Sequence, residues 1–400
     1  MRRAGRRGRI AVLGASAAGL AAAETLRTQG FDDELVIVGA EPHLPYKRPP
    51  LSKQVLDGRW AADRAFLRTA AEIEELDASW SLGVRAVGLD PAARRVTLSD
   101  RSVVEYDGLV IATGVSPRRL AHGHDLAGVQ VLRTLEDAQA VGRELVAGRR
   151  LVIVGAGFLG CEVAAVARRS DVHVTLVDPL PAPMIRQLGS DIARHVAALH
   201  TSHGTEVRTG VGVRALTGVD GRVTTVELTD GSVLAADAVL VAIGSTPNVG
   251  WLAGSGLSLT DGVDCDARCR AGTDIVAAGD VASWEHPGFG RRMRVEHQTN
   301  ALEQGAAAAR SLLGTEAEDF APVPFFWSDQ YDVKLQVYGA PHESATKRIV
   351  RGDPAEGRFA ATYQHDGRLV AVLTWNMPRE ALGLREQLVA EMEGRGAAAR

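Results

Sequence analysis

The sequence is poor in several features that mark particular classes of protein. It has three cysteines in 400 residues, too few for a disulfide framework, which fits a reducing cytoplasm. No apolar run approaches the roughly 18 residues of a membrane-spanning helix. A formal charge of −4 argues against nucleic acid as the main partner. We therefore expect a cytoplasmic globular chain of two or three domains, without a membrane or nucleic-acid partner.

The N-terminus, MRRAGRRGR, carries five arginines in nine residues. A twin-arginine export signal would need a separate apolar region and a cleavage site. The next apolar stretch is already the first predicted strand. We therefore expect a solvated and disordered extension.

Two glycine-rich turns are the most informative motifs. GASAAG, residues 14–19, follows the apolar run 10–13, and GAGFLG, residues 155–160, follows the run 151–154. Each leads into an Ala-rich stretch that is compatible with a helix. A strand–turn–helix of this kind lets the backbone approach a pyrophosphate, and the helix N-terminus supplies free N–H groups.

Each turn has a matching segment far downstream. DRSVVEYDGLVIATG, residues 100–114, aligns without a gap with DGSVLAADAVLVAIG, residues 230–244, and is identical at six of fifteen positions. The chain thus repeats one plan, with second strands predicted at residues 35–38 and 172–177. Two dinucleotide sites in one chain predict an oxidoreductase that passes electrons between two cofactors.

The two turns differ in regularity. GAGFLG is a full match, and Asp178 follows 23 residues after Gly155, where an acid can accept a hydrogen bond from a ribose hydroxyl. Pro179 comes next, with no adjacent arginine for a 2′-phosphate, which favours NADH over NADPH. GASAAG has Ser16 where the second glycine usually stands.

The remaining segments complete the predicted organisation. EPHLPYKRPPLSK, residues 41–53, is a Pro-rich shaped loop. Residues 273–282 predict a buried strand that ends in Gly279 and Asp280, where the aspartate either contacts a sugar-alcohol chain or caps a helix. A helix is predicted at residues 300–313, and alternating segments from residue 323 onward predict an antiparallel sheet.

Several segments together resemble one family. They are the Pro-rich loop with LVIATG, LRTLEDA, LVIVGAGFLGCEVAA, AIGSTPN, AAGDVA, VEHQTNALEQG and FFWSDQYDVKLQ. The chain resembles the FAD-dependent, NADH-linked ferredoxin reductases that serve bacterial cytochromes P450 and Rieske-type dioxygenases. The match covers nearly the whole chain.

The resemblance implies an α/β, glutathione-reductase-like fold with two Rossmann-type domains and a small α+β C-terminal domain. FAD would lie in residues 1–116 and 245–322, and NADH in residues 117–244. Residues 323–400 would cover the flavin. The implied partner is a [2Fe–2S] ferredoxin, and flavin would join the two-electron donor NADH to this one-electron acceptor.

The resemblance also implies particular binding residues. FAD contacts are expected from Gly14, Ser16, Ala17, Ala18, Ala40, Glu41, Arg48, Pro49, Lys53, Ala112, Thr113, Gly114, Arg133, Gly279, Asp280, Glu296, His297 and Gln298. NADH contacts are expected from Gly155, Gly157, Phe158, Leu159, Gly160, Asp178, Arg186 and Gly244. No metal site is predicted.

Lys53 and Glu162 resemble the family's charged pair beside the reactive flavin face, which makes them the candidate catalytic residues. From the sequence alone, Lys53 is equally a solvated loop lysine. Gln298 departs from the family, because many relatives have an aromatic or apolar residue there. Ala40 stands where some relatives have a ribose-binding acid, so Glu41 is the candidate for that role.

Other functions stay open at this point. A disulfide reductase or peroxidase needs a cysteine beside the flavin, and no cysteine precedes Cys161, which makes disulfide chemistry the weaker alternative. Cys161 itself stands at a helix start, where a reactive thiol is possible, but a small buried packing residue is favoured. NADH oxidase or quinone reductase activity remains, as does a redox sensor that binds FAD and NADH without rapid turnover. GRRMR, residues 290–294, is either a docking patch for an acidic ferredoxin or a solvated loop.

Overall fold

The architecture comes from a computed structural model that describes residues 8–315 and 318–398. Most of the basic N-terminal extension predicted from the sequence therefore lies outside the described residues. The first unit begins with a buried strand, β1. In chain order it contains β1 (Arg9–Leu13), α1 (Ala17–Thr28), β2 (Glu34–Gly39), α2 (Ala70–Glu74), β3 (Ser79–Leu82), β4 (Ala86–Asp90), β5 (Arg95–Leu98), β6 (Val103–Glu105), β7 (Gly108–Ile111) and β8 (Val115–Pro117).

The second unit repeats the opening strand–turn–helix. It contains β9 (Val129–Gln130), α3 (Leu135–Glu144), β10 (Arg150–Val154), α4 (Phe158–Arg169), β11 (His173–Asp178), α5 (Ile185–Ser202), β12 (Glu206–Thr209), β13 (Val213–Val219), β14 (Arg222–Leu228), β15 (Val233–Ala235), β16 (Ala238–Val241) and β17 (Ser245–Pro247).

After the second unit, a return segment leads the chain back to the first unit. It contains β18 (Val263–Cys265), β19 (Arg270–Gly272), β20 (Ile275–Ala277), β21 (Ala282–His286), β22 (Arg291–Arg294) and α6 (Gln298–Leu313). The C-terminal unit contains β23 (Phe325–Gln330), β24 (Val333–Gly339), β25 (Thr346–Asp353), β26 (Arg358–His365), β27 (Arg368–Trp375) and α7 (Pro378–Ala398).

A six-stranded sheet joins the two ends of the first unit and the return segment. Its strand order is β19-β20-β7-β1-β2-β3, and β1 pairs in parallel with both β2 and β7. Strand β20 pairs in parallel with β7, so a strand that follows the second unit in the sequence completes the sheet of the first unit. Parallel strands buried on both faces read as continuous apolar runs, which is why the sequence predicted β1 and β7.

A five-stranded sheet forms the second unit, in the order β12-β11-β10-β16-β9. Here β10 pairs in parallel with β11 and β16, as β1 does with β2 and β7. The two downstream segments that resemble each other thus become the equivalent strands β7 and β16. Short strands β8 and β17 pair antiparallel where the chain crosses between the units.

Small residues bring α6 against α1. A Cβ added to Gly305 would overlap the Ala18 carbonyl oxygen, so the two helices pack at backbone distance. Ala307, Ala308 and Ala309 are buried in the same core. Helix α6 also contacts β7 and β20 of the six-stranded sheet.

The C-terminal unit is an antiparallel sheet in the order β23-β24-β27-β26-β25, which matches the alternating pattern of the sequence. Helix α7 follows this sheet. One predicted strand is shorter than expected, because β20 ends at Ala277 and the left-handed φ of 76° at Gly279 turns the chain. A 3₁₀ turn, Gly279–Val281, replaces the rest of that strand.

Candidate cofactor sites

The first glycine-rich turn lies at the carboxyl end of β1. Gly14 has a φ of 122°, and a Cβ there would overlap the Ala112 carbonyl oxygen at the end of β7. Ser16 is the N-cap of α1 in extended backbone, and its side chain makes no capping hydrogen bond. The first N–H groups of α1 are therefore available to an anion such as a pyrophosphate.

The second turn has the same geometry. Gly155 has a φ of 107°, and its Cβ would overlap the carbonyl oxygen of Ala242 at the end of β16. Gly157 is the N-cap of α4, without a side-chain cap. A Cβ on Gly157 would meet nothing within 4 Å. Space is thus open beside this turn.

Asp178 closes the second turn from the end of β11. Its two carboxylate oxygens accept hydrogen bonds from the backbone N–H groups of Ala156, at 2.7 Å, and Leu180, at 2.8 Å. Asp178 therefore shapes the turn itself, and its contact with a ribose stays a prediction. Arg186, near the start of α5, is exposed, and Gly244 has open space where a Cβ would stand.

A cavity of about 310 Å³ lies where the first turn, the Pro-rich loop, α6 and β23 meet. It brings together most of the residues predicted to bind FAD and two of those predicted for NADH, Phe158 and Leu159. The predicted residues that line it are Ser16, Ala17, Ala18, Arg48, Pro49, Lys53, Ala112, Gly114, Arg133, Phe158, Leu159, Glu162, Gly279, Asp280, Glu296, His297 and Gln298.

Four residues predicted for FAD do not line this cavity: Gly14, Ala40, Glu41 and Thr113. Ala40 is exposed just after β2. Glu41 accepts hydrogen bonds from Arg48, at 2.5 Å, and from the Tyr46 hydroxyl. Its carboxylate thus orients a cavity arginine, while its proposed ribose contact stays a prediction.

Eight further lining residues were not predicted. They are Tyr46, Leu51, Ser52, Leu132, Ala278, Ala301, Phe326 and Trp327. Ser52 and Tyr46 belong to the Pro-rich loop, and Phe326 and Trp327 belong to the aromatic segment FFWSDQ, so both motifs contained a signal. Burial raises the pKa of Tyr46, which is protonated at neutral pH.

Hydrogen-bonded charged side chains line one end of the cavity and make it polar. Arg133 donates to Asp280 at 2.9 Å, and Arg48 donates to the Arg133 carbonyl oxygen at 2.5 Å. These contacts connect the second unit, through Arg133, with the Pro-rich loop and with the 3₁₀ turn that follows β20. Arg48 and Asp280 both line the cavity, where they meet any bound polar group.

Lys53 and Glu162 form a buried ion pair in the cavity wall. Nζ of Lys53 lies 2.7 Å from Oε2 of Glu162, and the side chains are 9% and 7% exposed. Ser52 donates to the same oxygen at 2.5 Å. Glu162 lies on α4, so the helix that starts at the second turn reaches the cavity of the first.

Two polar atoms in the cavity wall have no protein partner among the described residues: Nδ1 of His297 and Oε1 of Gln298. Buried polar atoms are nearly always hydrogen-bonded, so these two point to a ligand. Burial lowers the pKa of His297 to about 4, which keeps its imidazole neutral at pH 7. With the free N-terminus of α1 and the charged end, the cavity fits FAD.

The pyridine nucleotide-disulphide oxidoreductase family model matches residues 8–305, and the reductase C-terminal model matches residues 325–399. The chain belongs to this oxidoreductase family. It is 37% identical to rhodocoxin reductase of Rhodococcus erythropolis over 385 residues, which cover 96% of this chain and 90% of the relative.

A second relative is the anthranilate 1,2-dioxygenase system ferredoxin–NAD(+) reductase component of Burkholderia cepacia. It is 38% identical over 383 residues, with 95% of this chain and 93% of the relative covered. The structure also matches a chain of the covalent putidaredoxin reductase–putidaredoxin complex with a TM-score of 0.92 at 32% identity. That match covers 96% of this chain and 93% of the other.

These comparisons confirm the resemblance to ferredoxin reductases and the two-Rossmann, glutathione-reductase-like fold. They also confirm that the chain is an oxidoreductase of a family that uses FAD and NAD(H). Within the described part of the chain, no helix is both long and apolar enough to span a bilayer.

The cysteines take no part in the site. All three are buried and free, and no cysteine lines the cavity among the residues that the structure describes. Burial raises the pKa of the Cys161 thiol, and it raises the pKa of Cys265 to about 12. Cys161 therefore packs as an inert side chain, as the sequence favoured.

The arginine-rich segment is a strand rather than a loop. Residues 291–294 form β22, which pairs with β21. Arg292 forms ion pairs with Asp264 and Glu285, and Arg294 pairs with Asp261 and Glu296. Their acidic partners offset much of the positive charge, which weakens this segment as a docking patch.

Proposed function

We propose that this protein passes electrons from NADH, through bound FAD, to a [2Fe–2S] ferredoxin that serves a cytochrome P450 or a ring-hydroxylating oxygenase. One observation carries the proposal. Phe158, Leu159 and Glu162, from the helix that follows the second nucleotide turn, line the cavity beside the first turn. A dinucleotide at the second turn would thus reach the flavin held at the first.

FAD would be held by residues 1–116 and 245–322. The N-terminus of α1 would receive the pyrophosphate, and Asp280 would receive polar groups of the linking chain. His297 and Gln298, with their unpartnered atoms, would meet the polar edge of the flavin. Bound FAD supplies the step between a two-electron donor and a one-electron acceptor.

NADH would bind within residues 117–244, at the open turn around Gly157. Asp178 supports the turn through its contacts with Ala156 and Leu180. Arg186 follows β11 and Gly244 follows β16, the two strands that flank β10 in parallel. NADH rather than NADPH is preferred, because β11 ends in the acid Asp178 and no arginine adjoins it.

Lys53 supplies a fixed positive charge in the cavity wall. Negative charge that develops on a cofactor is stabilised by a preorganised cation more strongly in a water-poor site than in solvent. Glu162 orients this ammonium from 2.7 Å. Residues 323–400, through Phe326 and Trp327, would cover the remaining side of the cavity and exclude water.

The partner follows from the relatives. The matched complex pairs putidaredoxin reductase with putidaredoxin, and other relatives are components of dioxygenase systems. The three free cysteines accord with a reducing compartment, and we place the protein in the cytoplasm. Because no cysteine lines the cavity among the described residues, disulfide reduction is the weaker alternative.

The test is NADH-driven reduction of cytochrome c by the purified flavoprotein, with and without an added [2Fe–2S] ferredoxin. We expect the rate to depend strongly on the ferredoxin. Rapid NADH consumption without ferredoxin would instead show an oxidase or quinone reductase. Bound FAD with no turnover toward several ferredoxins would favour a redox sensor.

A further inference from the structure

The carboxylate of Glu162 is the end of a longer buried chain of hydrogen bonds. Lys53 and Ser52 donate to its Oε2. The other oxygen, Oε1, accepts from the hydroxyl of Ser328 at 2.9 Å. Ser328 lies on β23, so the C-terminal unit contacts the charged pair directly.

The direction of each hydrogen bond follows from the carboxylate. A carboxylate only accepts, so Ser328 must donate to it and must itself accept from Nε2 of Gln330, at 3.0 Å. The second N–H of that amide faces Sδ of Met184. Oε1 of Gln330 therefore faces Nε2 of His200, at 3.0 Å, and the imidazole donates there.

The outer end is determined in the same way. Because His200 carries its proton on Nε2, its Nδ1 accepts from the Tyr331 hydroxyl at 3.2 Å. Tyr331 in turn accepts from Thr205 at 3.0 Å. This arrangement requires a neutral imidazole, and burial lowers the pKa of His200 to about 4. Every bond of the chain thus points toward Glu162.

The chain is buried and spans three units. Ser328 and His200 are fully buried, while Thr205 and Gln330 are 2% and 3% exposed. Lys53 belongs to the first unit, Glu162, His200 and Thr205 to the second, and Ser328, Gln330 and Tyr331 to the C-terminal unit. Only the bond between Ser328 and Gln330 stays within one unit. Dipoles aligned in a low-dielectric interior strengthen one another, and their final acceptor here is the partner of Lys53.

We propose that Ser328, Gln330 and His200 are positioning residues for Lys53. They hold the Glu162 carboxylate in one orientation, and Glu162 holds the Lys53 ammonium in the cavity wall. Their effect on the flavin is thus exerted through the ion pair. The inference rests on the proposed function, because it takes the cavity to be the flavin site.

The test is a double-mutant cycle on the midpoint potential of the bound FAD, titrated with dithionite against reference dyes. Lys53→Met should lower the potential, because reduced flavin loses a nearby positive charge. Ser328→Ala and Gln330→Leu should shift it in the same direction. In the Lys53→Met background, neither should cause a further shift. Gln330→Leu preserves side-chain volume and serves if Ser328→Ala fails to fold.

Two variants control for general damage. Ser328→Thr keeps the hydroxyl and should retain the wild-type potential. Thr374→Val removes a buried hydroxyl of the same sheet that has no partner within the described chain, and should also leave the potential unchanged. Unchanged potentials in Ser328→Ala and Gln330→Leu, or shifts that simply add to that of Lys53→Met, would overturn the inference. The titration needs neither NADH nor ferredoxin, so the cytochrome c assay judges the proposed function separately.

Discussion

The first nucleotide turn, residues 14–19, and the second, residues 155–160, have the same backbone but different surroundings. The first faces a cavity closed by the Pro-rich loop, α6 and the C-terminal unit. The second has open space at Gly157 and Gly244, with Arg186 exposed nearby. The difference matches two roles, because a retained cofactor needs enclosure and an exchanging dinucleotide needs access.

The same comparison separates two kinds of small residue. Gly14 and Gly155 combine a left-handed φ with a closely approaching carbonyl group, so glycine is required at both. The middle position of each turn is extended backbone, with φ −128° at Ser16 and −79° at Gly157. Serine therefore fits there, and the irregular first motif is a complete turn.

The largest effect is expected from substituting a glycine that the turn requires, compared with one that it only tolerates. Gly14→Ala should cost about 3–5 kcal/mol and abolish FAD retention, because its Cβ overlaps the Ala112 carbonyl. Gly157→Ala should fold normally with full FAD, since nothing lies near its Cβ. Thermal unfolding and the flavin-to-protein absorbance ratio measure both. Similar losses in the two variants would break the comparison.

Acid should weaken the second unit's contact with the C-terminal sheet. The pKa of buried His200 is about 4, lowered from 6.5, so its neutral form stabilises the fold fully above pH 6.5. This contribution, roughly 3 kcal/mol, is lost as the pH falls from 6.5 to 4. Denaturant unfolding across that range should show the loss. His200→Phe should flatten the dependence, and an unchanged profile would contradict the assignment.

Lys53→Met tests whether the cavity at the first turn provides a positive charge to the flavin in addition to excluding water. We expect NADH to reduce the bound FAD about 10- to 100-fold more slowly, because a preorganised cation is lost. Stopped-flow absorbance of the flavin measures this step. Lys47→Met, in the same loop but outside the cavity lining, is the matched control. A wild-type rate in Lys53→Met would remove Lys53 from the mechanism.

Asp178→Asn tests the second, open nucleotide turn without changing the cavity at the first turn. The amide nitrogen cannot accept one of the two backbone hydrogen bonds that Asp178 receives, so the turn should loosen. We expect KM for NADH to rise about tenfold, a change of about 1.4 kcal/mol. The FAD content should stay that of the wild type. Loss of FAD from this variant would mean that the two sites are not independent.

Gln298→Leu should have the smallest effect and concerns the enclosed site. Its Oε1 lacks a partner among the described residues, and pairing it with FAD would contribute about 1 kcal/mol. We therefore expect roughly fivefold weaker FAD binding, with KM for NADH unchanged. Fluorescence titration of apoprotein with FAD measures the affinity. Equal affinity in the two proteins would show that the glutamine only fills space.

Much of the fold was predictable because its signals are local. Buried parallel strands appear as continuous apolar runs, and each glycine-rich turn predicts that a helix follows it. The predicted strand over residues 273–282 was too long because nothing in its composition reveals that Gly279 turns left-handed. Ion pairs weaken the interpretation of residues 290–294 as a docking patch. The sequence did not reveal these pairs, because two of the acidic partners, Asp261 and Asp264, lie far from this segment along the chain.

The sequence by itself determined the two nucleotide turns, the repeated plan and the residue types at the cavity, because each depends on short-range pattern. The family resemblance implied the pairing of Lys53 with Glu162, but only the tertiary structure decided that Ser328, Gln330 and His200 align behind this pair. Ser328 and Gln330 are two residues apart on β23, but the other hydrogen-bond partners are separated by more than a hundred residues, and such pairs leave no periodic trace. Their pairing exists only where three units pack together and exclude water.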